Sequence, residues 1–319
     1  VGSWPLASTV FRRGLLPLYP QAVEHLGDRL AAVHRQKHID LVISTSSAAI
    51  KGLRPPPEVP HICYIHSPAR YVWSVESDYA RGSVIRRLGL RAFGPRFREW
   101  DRQTASNVTH FIANSSHTAS EVQRCYGREA SVTFPPVRTN YFTPPSTHPP
   151  EKSRRDGSWL IVSALEPYKR IDLAIAAANQ RGQPLTIIGN GSQRRKLQRL
   201  AGRTVTFLGR AYDSEVREHY QRCTLLLFPQ LEDFGIVACE AQACGLPVVA
   251  FGKGGAVDTV VAGVTGALFD EQTVASLLSG IDRAGQLKKC DQACRQNALR
   301  FSEEAFMRSL DEVLQNYIG

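Results

Sequence analysis

Two glutamates at a predicted junction between a strand and a helix are the residues best suited to chemistry in this sequence. Glu232 and Glu240 are separated by seven residues, where an apolar run (residues 224–229, TLLLFP) gives way to a short helix rich in Ala and Cys. A run of this length is typical of a parallel strand covered on both faces. The free N–H groups at the helix start, at Gly235 and Ile236, suit a phosphate, whereas carboxylates suit sugar hydroxyls. The pattern therefore predicts a ligand that carries a diphosphate together with sugar hydroxyl groups.

The same pair has other interpretations. Glu232 can be a solvated loop residue and Glu240 an ordinary charge on a helix face. Paired carboxylates also occur in glycosidases, where one acts as the acid and the other as the base or nucleophile. The two residues by themselves leave these alternatives open.

Cations and glycines follow other apolar runs in the second half of the chain. Lys169 and Arg170 precede a predicted helix, and paired cations beside a strand end can bind a diphosphate and offset the charge on a leaving group. Adjacent basic residues also occur in solvated turns. Gly189 and Gly191 form a Gly-x-Gly turn before a basic helix, which is weak evidence because any tight turn between a strand and a helix uses glycine.

In the first half, a histidine ends a predicted strand. His66 lies in the segment CYIHSPARYVW, whose loop also contains Arg70 and Tyr71. A histidine at a strand end can transfer a proton or bond a sugar hydroxyl, although a lone histidine is often structural. Asn114 has a comparable position at the end of another predicted strand, HFIAN.

These motifs together resemble a known family. Residues 228–270, with the glutamate pair, the CGLPV strand and the GKGG turn, resemble the nucleotide-sugar-binding motif of the retaining glycosyltransferases of GT-B fold, of the group 1 type. The segment around His66 is similar to the H-[ST]-P-x-RY-x-W loop of mannosyltransferase-like members of that family. The resemblance extends from about residue 9 to the end of the chain.

The resemblance implies roles for the residues around the glutamate pair. Glu240 is expected to bind the nucleotide ribose and Glu232 the donor sugar. Phe234, Gly235 and Ile236 are expected beside the donor, with backbone groups available to it.

It also implies roles for the cations and glycines. Lys169 matches the family's diphosphate-binding lysine, whereas Ala164 stands where many members have an arginine, so that Arg170 is the candidate to replace it. The turn at Gly189 and Gly191 is expected close to the nucleotide, and Arg210 near the base. The predicted catalytic residues are Lys169, Glu232 and His66, and the predicted acceptor-side residues are Arg70, Tyr71 and Asn114.

The implied reaction is the transfer of a hexose, with mannose from GDP-mannose as the leading donor, to a saccharide or lipid-linked saccharide with retention at the anomeric carbon. The pathway expected is cell-envelope polysaccharide or glycolipid biosynthesis. No metal and no cofactor is expected beyond the donor itself. A catalytically inactive GT-B scaffold, or a GT-B sugar epimerase or phosphorylase, stays open as an alternative.

The order of apolar runs predicts the fold class. Strands alternate with helices throughout, which is typical of an α/β protein with parallel, doubly wound sheets. The resemblance implies the GT-B arrangement of two Rossmann-like domains that face a cleft. We expect a first domain over residues 1–145, a linker rich in proline and charge over 146–157, a nucleotide-sugar domain over 158–301 and a terminal helix over 302–319. Because the family's opening strand and glycine-rich loop do not precede residue 1, the first domain is expected to be truncated.

Charge and cysteine content narrow the setting. Residues 1–150 hold 18 Lys and Arg against 10 Asp and Glu, so most of the net charge of +10 lies there. Residues 81–102 interleave arginines with apolar residues, a pattern that fits either an anionic membrane surface or a helix packed in its own domain. No recognised motif accompanies the charge, so nucleic acid is not an expected partner. Seven scattered cysteines favour a reduced, cytoplasmic setting, with the inner membrane face as a possible site of peripheral binding.

Overall fold

The computed structural model describes residues 18–73, 84–145, 155–287 and 290–317, without the side chains of residue 71 and residues 84–92. The chain divides into two compact units. The first unit comprises Val1–Thr133 together with Glu312–Gly319, and the second comprises Phe134–Asp311. The division therefore falls earlier than the expected end of the first domain at residue 145. Residues 146–154 of the expected linker lie outside the described residues.

Within the described residues, the first unit is built on a parallel sheet of four strands that lie side by side in chain order. Its strands are β1 (Val42–Ser46), β2 (His61–Ile65), β3 (His110–Ala113) and β4 (Ala130–Val132). Its helices are α1 (Tyr19–Gln36), α2 (Arg70–Trp73), α3 (Val84–Gln103) and α4 (Ser116–Tyr126). Every residue of β2 is buried, as expected for a central strand with both faces covered.

The second unit contains a parallel sheet of six strands in the order β10-β9-β8-β5-β6-β7. The strands are β5 (Trp159–Val162), β6 (Leu185–Ile188), β7 (Val205–Gly209), β8 (Leu225–Phe228), β9 (Val248–Phe251) and β10 (Gly266–Phe269). The helices are α5 (Ile171–Arg181), α6 (Arg194–Leu200), α7 (Asp213–Arg222), α8 (Ile236–Ala243), α9 (Ala256–Thr259), α10 (Val274–Gly285), α11 (Asp291–Leu299) and α12 (Glu303–Leu314), of which α12 belongs to this unit as far as Asp311. Separate apolar clusters cover the two faces of this sheet, so the doubly wound architecture predicted from the sequence is confirmed.

The strand order sets where the functional loops emerge. Strand β5 pairs with β6 on one side and with β8 on the other, through Trp159 opposite Leu225 and Leu160 opposite Leu226. The chain therefore leaves β5 toward one half of the sheet and leaves β8 toward the other. At such a switch point the loops after the two strands separate and leave a crevice at their carboxyl ends.

The structure differs from the sequence-based prediction, or adds to it, at several places. Strand β10 and helices α10 and α11 were not predicted. In the last helix, the apolar residues Phe306, Leu310, Val313 and Leu314 are half-buried, and no residue of α12 is fully buried. In the basic segment, Phe97 is buried in the first unit and Phe93 is 48% exposed.

The state of the cysteines and the character of the helices bear on the setting expected from the sequence. All seven cysteines are buried and none forms a disulfide. Among the described residues, no helix combines the length and the apolar character needed to cross a bilayer.

A buried ion pair lies at the centre of the first unit. Lys51 Nζ lies 3.2 Å from Asp101 Oδ1, and both side chains are fully buried. The other carboxylate oxygen of Asp101 accepts hydrogen bonds from Trp73 Nε1 at 2.6 Å and from the Tyr126 hydroxyl at 2.9 Å. Burial lowers the pKa of Lys51 although the Asp101 charge opposes that shift. The pair joins the segment after β1 to helices α3 and α4.

Removing one member of this pair should destabilise the first unit. Lys51→Met leaves the Asp101 charge buried without its cation, and we expect a loss of about 3 kcal/mol in the free energy of unfolding. Glu99→Ala is the matched control, because it breaks an exposed pair with Arg102 on the same helix and should cost less than about 1 kcal/mol. Urea unfolding followed by circular dichroism measures both values. Equal losses of unfolding free energy in the two variants would show that the buried pair stabilises the protein no more than the exposed pair does.

Candidate functional site

The carboxyl edge of the second sheet brings together a lysine and a glutamate that are distant in sequence. Lys169 ends a short 3-10 turn, Pro167–Lys169, that follows β5. Glu232 lies in the loop after β8. The Lys169 ammonium forms an ion pair with Glu232 Oε1, and the two side chains are only 14% and 19% exposed. These two predicted catalytic residues therefore lie in direct contact at the switch point.

The loop that carries Lys169 is bonded to the neighbouring Gly-x-Gly turn. Glu166 accepts hydrogen bonds from the Ser192 amide at 3.0 Å and from the Ser192 hydroxyl at 2.6 Å. A Cβ atom at Gly191 would lie 2.5 Å from the Leu165 carbonyl oxygen, so only glycine allows this approach. Gly189 has a φ of +133° and has no room for a side chain against the Ser163 carbonyl. Both glycines thus shape the backbone around the Lys169 loop.

The loop that carries Glu232 is held in a similar way. The Gly255 amide donates to the Glu232 carbonyl at 2.9 Å. A Cβ at Gly254 would collide with the same carbonyl, and a Cβ at Gly255 would collide with the backbone of Phe234. The GKGG turn after β9 therefore packs directly against the backbone of this loop.

Gly235 marks the start of helix α8. Its φ of +94° lies in the left-handed region, and a Cβ there would lie 2.9 Å from the Phe228 ring. Ile236 is the first helical residue and is 44% exposed. The backbone here thus has the geometry on which the anion prediction rests, a helix that starts at a residue without a side chain.

Glu240 projects from α8 into a largely buried environment. Burial raises the pKa of Glu240 to about 7. The Tyr220 hydroxyl donates to Glu240 Oε2 at 3.1 Å and lowers that pKa, as does the positive charge of Arg138. Arg138 itself pairs with Asp213 at 2.9 Å. One carboxylate oxygen of Glu240 is thus engaged by Tyr220, an arrangement that leaves the other oxygen suited to a ligand hydroxyl.

The remaining predicted donor-site residues differ in placement. The Phe234 side chain is buried in an aromatic cluster, with ring centroids 5.8 Å from Phe134 and 5.4 Å from Phe301, so only its backbone is available to a donor. Arg170 is directed to the Asp172 carboxylate at 3.3 Å and to the Gln272 carbonyl at 3.4 Å. Arg210 is exposed just after β7.

The first unit holds the other predicted residues at the carboxyl ends of its own strands. His66 follows β2, and its Nε2 lies 2.8 Å from Thr45 Oγ1. Asn114 follows β3, is 5% exposed and accepts from the Ser115 hydroxyl at 3.3 Å. Arg70 begins α2 and is half-buried, and the side chain of Tyr71 lies outside the described part.

Two residues in the site were missed by the sequence analysis. Tyr220 is fully buried on α7 and bonds Glu240, but nothing in the sequence distinguishes it from an ordinary apolar position of an amphipathic helix. Glu166 bonds the turn that contains Gly191, and its only signal was its place three residues before Lys169.

Comparison with known proteins agrees with this geometry. Residues 148–301 match the family described as "Glycosyl transferases group 1", and residues 5–140 match "Glycosyltransferase Family 4". The GDP-mannose-dependent alpha-(1-6)-phosphatidylinositol monomannoside mannosyltransferase of Mycobacterium tuberculosis is 29% identical over 234 residues, which are 63% of this chain and 57% of that protein. The chain spans about half the length of the curated relatives it matches.

Solved structures share the fold. The sucrose-phosphate synthase of Thermosynechococcus elongatus has a TM-score of 0.75 at 21% identity, covering 96% of this chain and 79% of that one. Anabaena HepE in complex with UDP-glucose has a TM-score of 0.66 at 20% identity, covering 94% of this chain and 82% of that one. The chain therefore has the GT-B fold of these solved glycosyltransferases, and its second half is similar to the group 1 family.

Proposed function

We propose that the protein transfers a hexose from a nucleotide diphosphate sugar to a hydroxyl acceptor with retention at the anomeric carbon. The observation that carries this proposal is the arrangement around the start of α8. Lys169 and Glu232 lie on one side of it, and Glu240 stands about one turn further along the helix. A cation for a diphosphate, a carboxylate for the donor sugar and a carboxylate for the ribose fit the successive parts of one donor molecule.

The proposed chemistry assigns a task to each group. The acceptor oxygen forms a bond to the anomeric carbon while the bond from that carbon to the diphosphate oxygen breaks, on the same face of the sugar. The acceptor proton passes to the departing diphosphate. Lys169 and the amides at Gly235 stabilise the negative charge that grows on the leaving group. Neither glutamate acts as a nucleophile, and because these groups supply the positive charge, the reaction is proposed to need no metal.

The proposal extends to the identity of the donor and of the acceptor. GDP-mannose is the first donor to test, because the mycobacterial relative is named as a GDP-mannose-dependent enzyme. UDP-glucose is the second, because it is bound in the HepE structure. That relative's name also includes a phosphatidylinositol mannoside, which supports a glycolipid acceptor in a cell-envelope pathway. Arg70, Tyr71 and Asn114 are proposed to serve the acceptor side, and His66 is proposed as a further catalytic residue.

Binding of the donor nucleotide should depend on Glu240. Glu240→Ala removes the acceptor of the ribose hydroxyl bonds, and loss of such a charge-assisted bond costs about 1.5–3 kcal/mol, or roughly 10- to 100-fold in Kd. Calorimetric titration with GDP, UDP and ADP measures this loss. Glu218→Ala, an exposed glutamate on α7, is the control and should leave Kd unchanged. Absence of binding by every nucleotide to the unaltered protein would favour the scaffold alternative.

Donor affinity should also depend on pH through Glu240. Since burial raises the pKa of Glu240 to about 7 and the ionised form accepts the hydroxyls, affinity should fall as the pH is lowered through 7 and level off above it. Tyr220→Phe removes a donor that favours the charged form, so the midpoint should move to higher pH. The measurement is Kd for the intact nucleotide sugar between about pH 5.5 and 9, a range that brackets the pKa of Glu240. A Glu240→Gln variant should give a flat profile, and a sloping one would assign the titration to another group.

We further propose that helix α3 contributes to binding at an anionic membrane surface. Its sequence is basic, Phe93 is 48% exposed and Arg96 is also exposed. Sedimentation with vesicles containing phosphatidylglycerol should recover the protein at low salt and less of it at high salt. Arg96→Glu should weaken this binding more than Arg203→Glu, an equivalent charge reversal in the second unit. Equal recovery of both variants would exclude α3 as the contact.

A further inference from the structure

The ion pair between Lys169 and Glu232 joins two groups that the proposed function gives to different parts of the donor. Lys169 is assigned to the diphosphate and Glu232 to the sugar, yet their side chains bond each other in this structure. A donor that binds as proposed must therefore exchange partners with both of them.

Both ends of this pair are held by their backbones. The Lys169 amide donates to the Glu166 carbonyl at 3.0 Å, and the Glu166 side chain is in turn bonded to Ser192. The Glu232 carbonyl accepts from Gly255, and Gly254 leaves no space for that loop to shift toward the GKGG turn. The pair is thus a contact between two anchored loops rather than an encounter of two mobile surface chains.

The surroundings make the pair stronger than a surface ion pair. With exposures of 14% and 19%, the two charges are partly withdrawn from water, where attraction between them is screened less. An incoming diphosphate has to compete with the Glu232 carboxylate for the Lys169 ammonium. It also brings negative charge close to that carboxylate, which is unfavourable while the carboxylate has no hydroxyl to accept from.

The complete donor and the product differ in how they compensate for this. A nucleotide sugar offers a diphosphate to Lys169 and hydroxyl groups to Glu232, so both members of the pair gain a new partner. A nucleoside diphosphate offers only the first. After transfer, Glu232 has lost its sugar hydroxyls and can return to Lys169.

We propose that Glu232 is a product-release residue, whose carboxylate competes with the nucleoside diphosphate for Lys169 and so weakens product relative to donor. This inference rests on the proposed function and adds a second task to Glu232. The ion pair acts selectively, because only a ligand that carries the hexose replaces both halves of it.

The test measures the affinities of the product nucleoside diphosphate and of its nucleoside in Glu232→Gln. This variant keeps the shape of the side chain and removes its charge, so the nucleoside diphosphate that binds the unaltered protein should bind about tenfold more tightly, the scale of one charge-assisted contact. The matching nucleoside, which lacks phosphate, should bind with unchanged Kd. Glu232→Ala provides a second variant with the same expected direction, and Glu218→Gln is the charge-removal control on α7.

A double substitution separates competition for Lys169 from a general electrostatic effect. In the Lys169→Met background, Glu232→Gln should give no more than about a twofold gain in diphosphate affinity, since the contested cation is absent. Kinetics that separate the chemical step from product release should show that the nucleoside diphosphate leaves Glu232→Gln more slowly than it leaves the unaltered protein. Unchanged or weaker diphosphate binding in both Glu232 variants, with Glu240→Ala still weakening it, would overturn the inference and leave the proposed function intact. Failure of every variant and of the unaltered protein to bind any nucleotide would overturn both.

Discussion

The pairing of β5 with β8 is the constraint on which the candidate site depends. The two strands are separated by more than fifty residues of chain, yet they lie side by side because both are apolar throughout and are covered on both faces. Their parallel direction places both carboxyl ends at one edge of the sheet. The loop after β5 carries Lys169 and the loop after β8 carries Glu232, so one hydrophobic pairing brings a cation to a carboxylate.

Close backbone approach then converts this placement into a fixed geometry. The turn at Gly189 and Gly191 lies against the loop after β5, and the turn at Gly254 and Gly255 lies against the loop after β8. In each case the contact is with main-chain atoms, so a side chain at the glycine would push the functional loop away. Gly189 and Gly191, which are weak evidence as a motif, and Gly254 and Gly255 therefore hold these two loops in place.

Most of the strands and helices could be predicted from the sequence, because apolar runs of strand length are clear in a sheet covered on both faces. Contacts that depend on side-chain packing could not. Phe142 stacks edge-on against Tyr220 at 5.7 Å, so the segment after Thr133 packs with the second unit although its sequence gives no sign of this. The aromatic cluster that buries the Phe234 side chain against Phe134 and Phe301 was not predicted either. Tyr220 was missed for the same reason, since only the folded chain brings its hydroxyl to Glu240.

Several charges at this edge of the sheet are paired within the protein before any ligand is considered. Lys169 bonds Glu232, Glu240 accepts from Tyr220, and Arg138 bonds Asp213. A half-buried charge without such a partner is costly, and the cost would fall on the folded state. Pairing the charges internally removes that cost, but it also means that a ligand gains only the difference between its own bonds and those it replaces. Selectivity then follows from completeness, because a molecule that satisfies every displaced group binds well and a fragment of it does not. A site whose charges are paired in this way should distinguish a whole ligand from its parts more sharply than a site lined with unpaired charges.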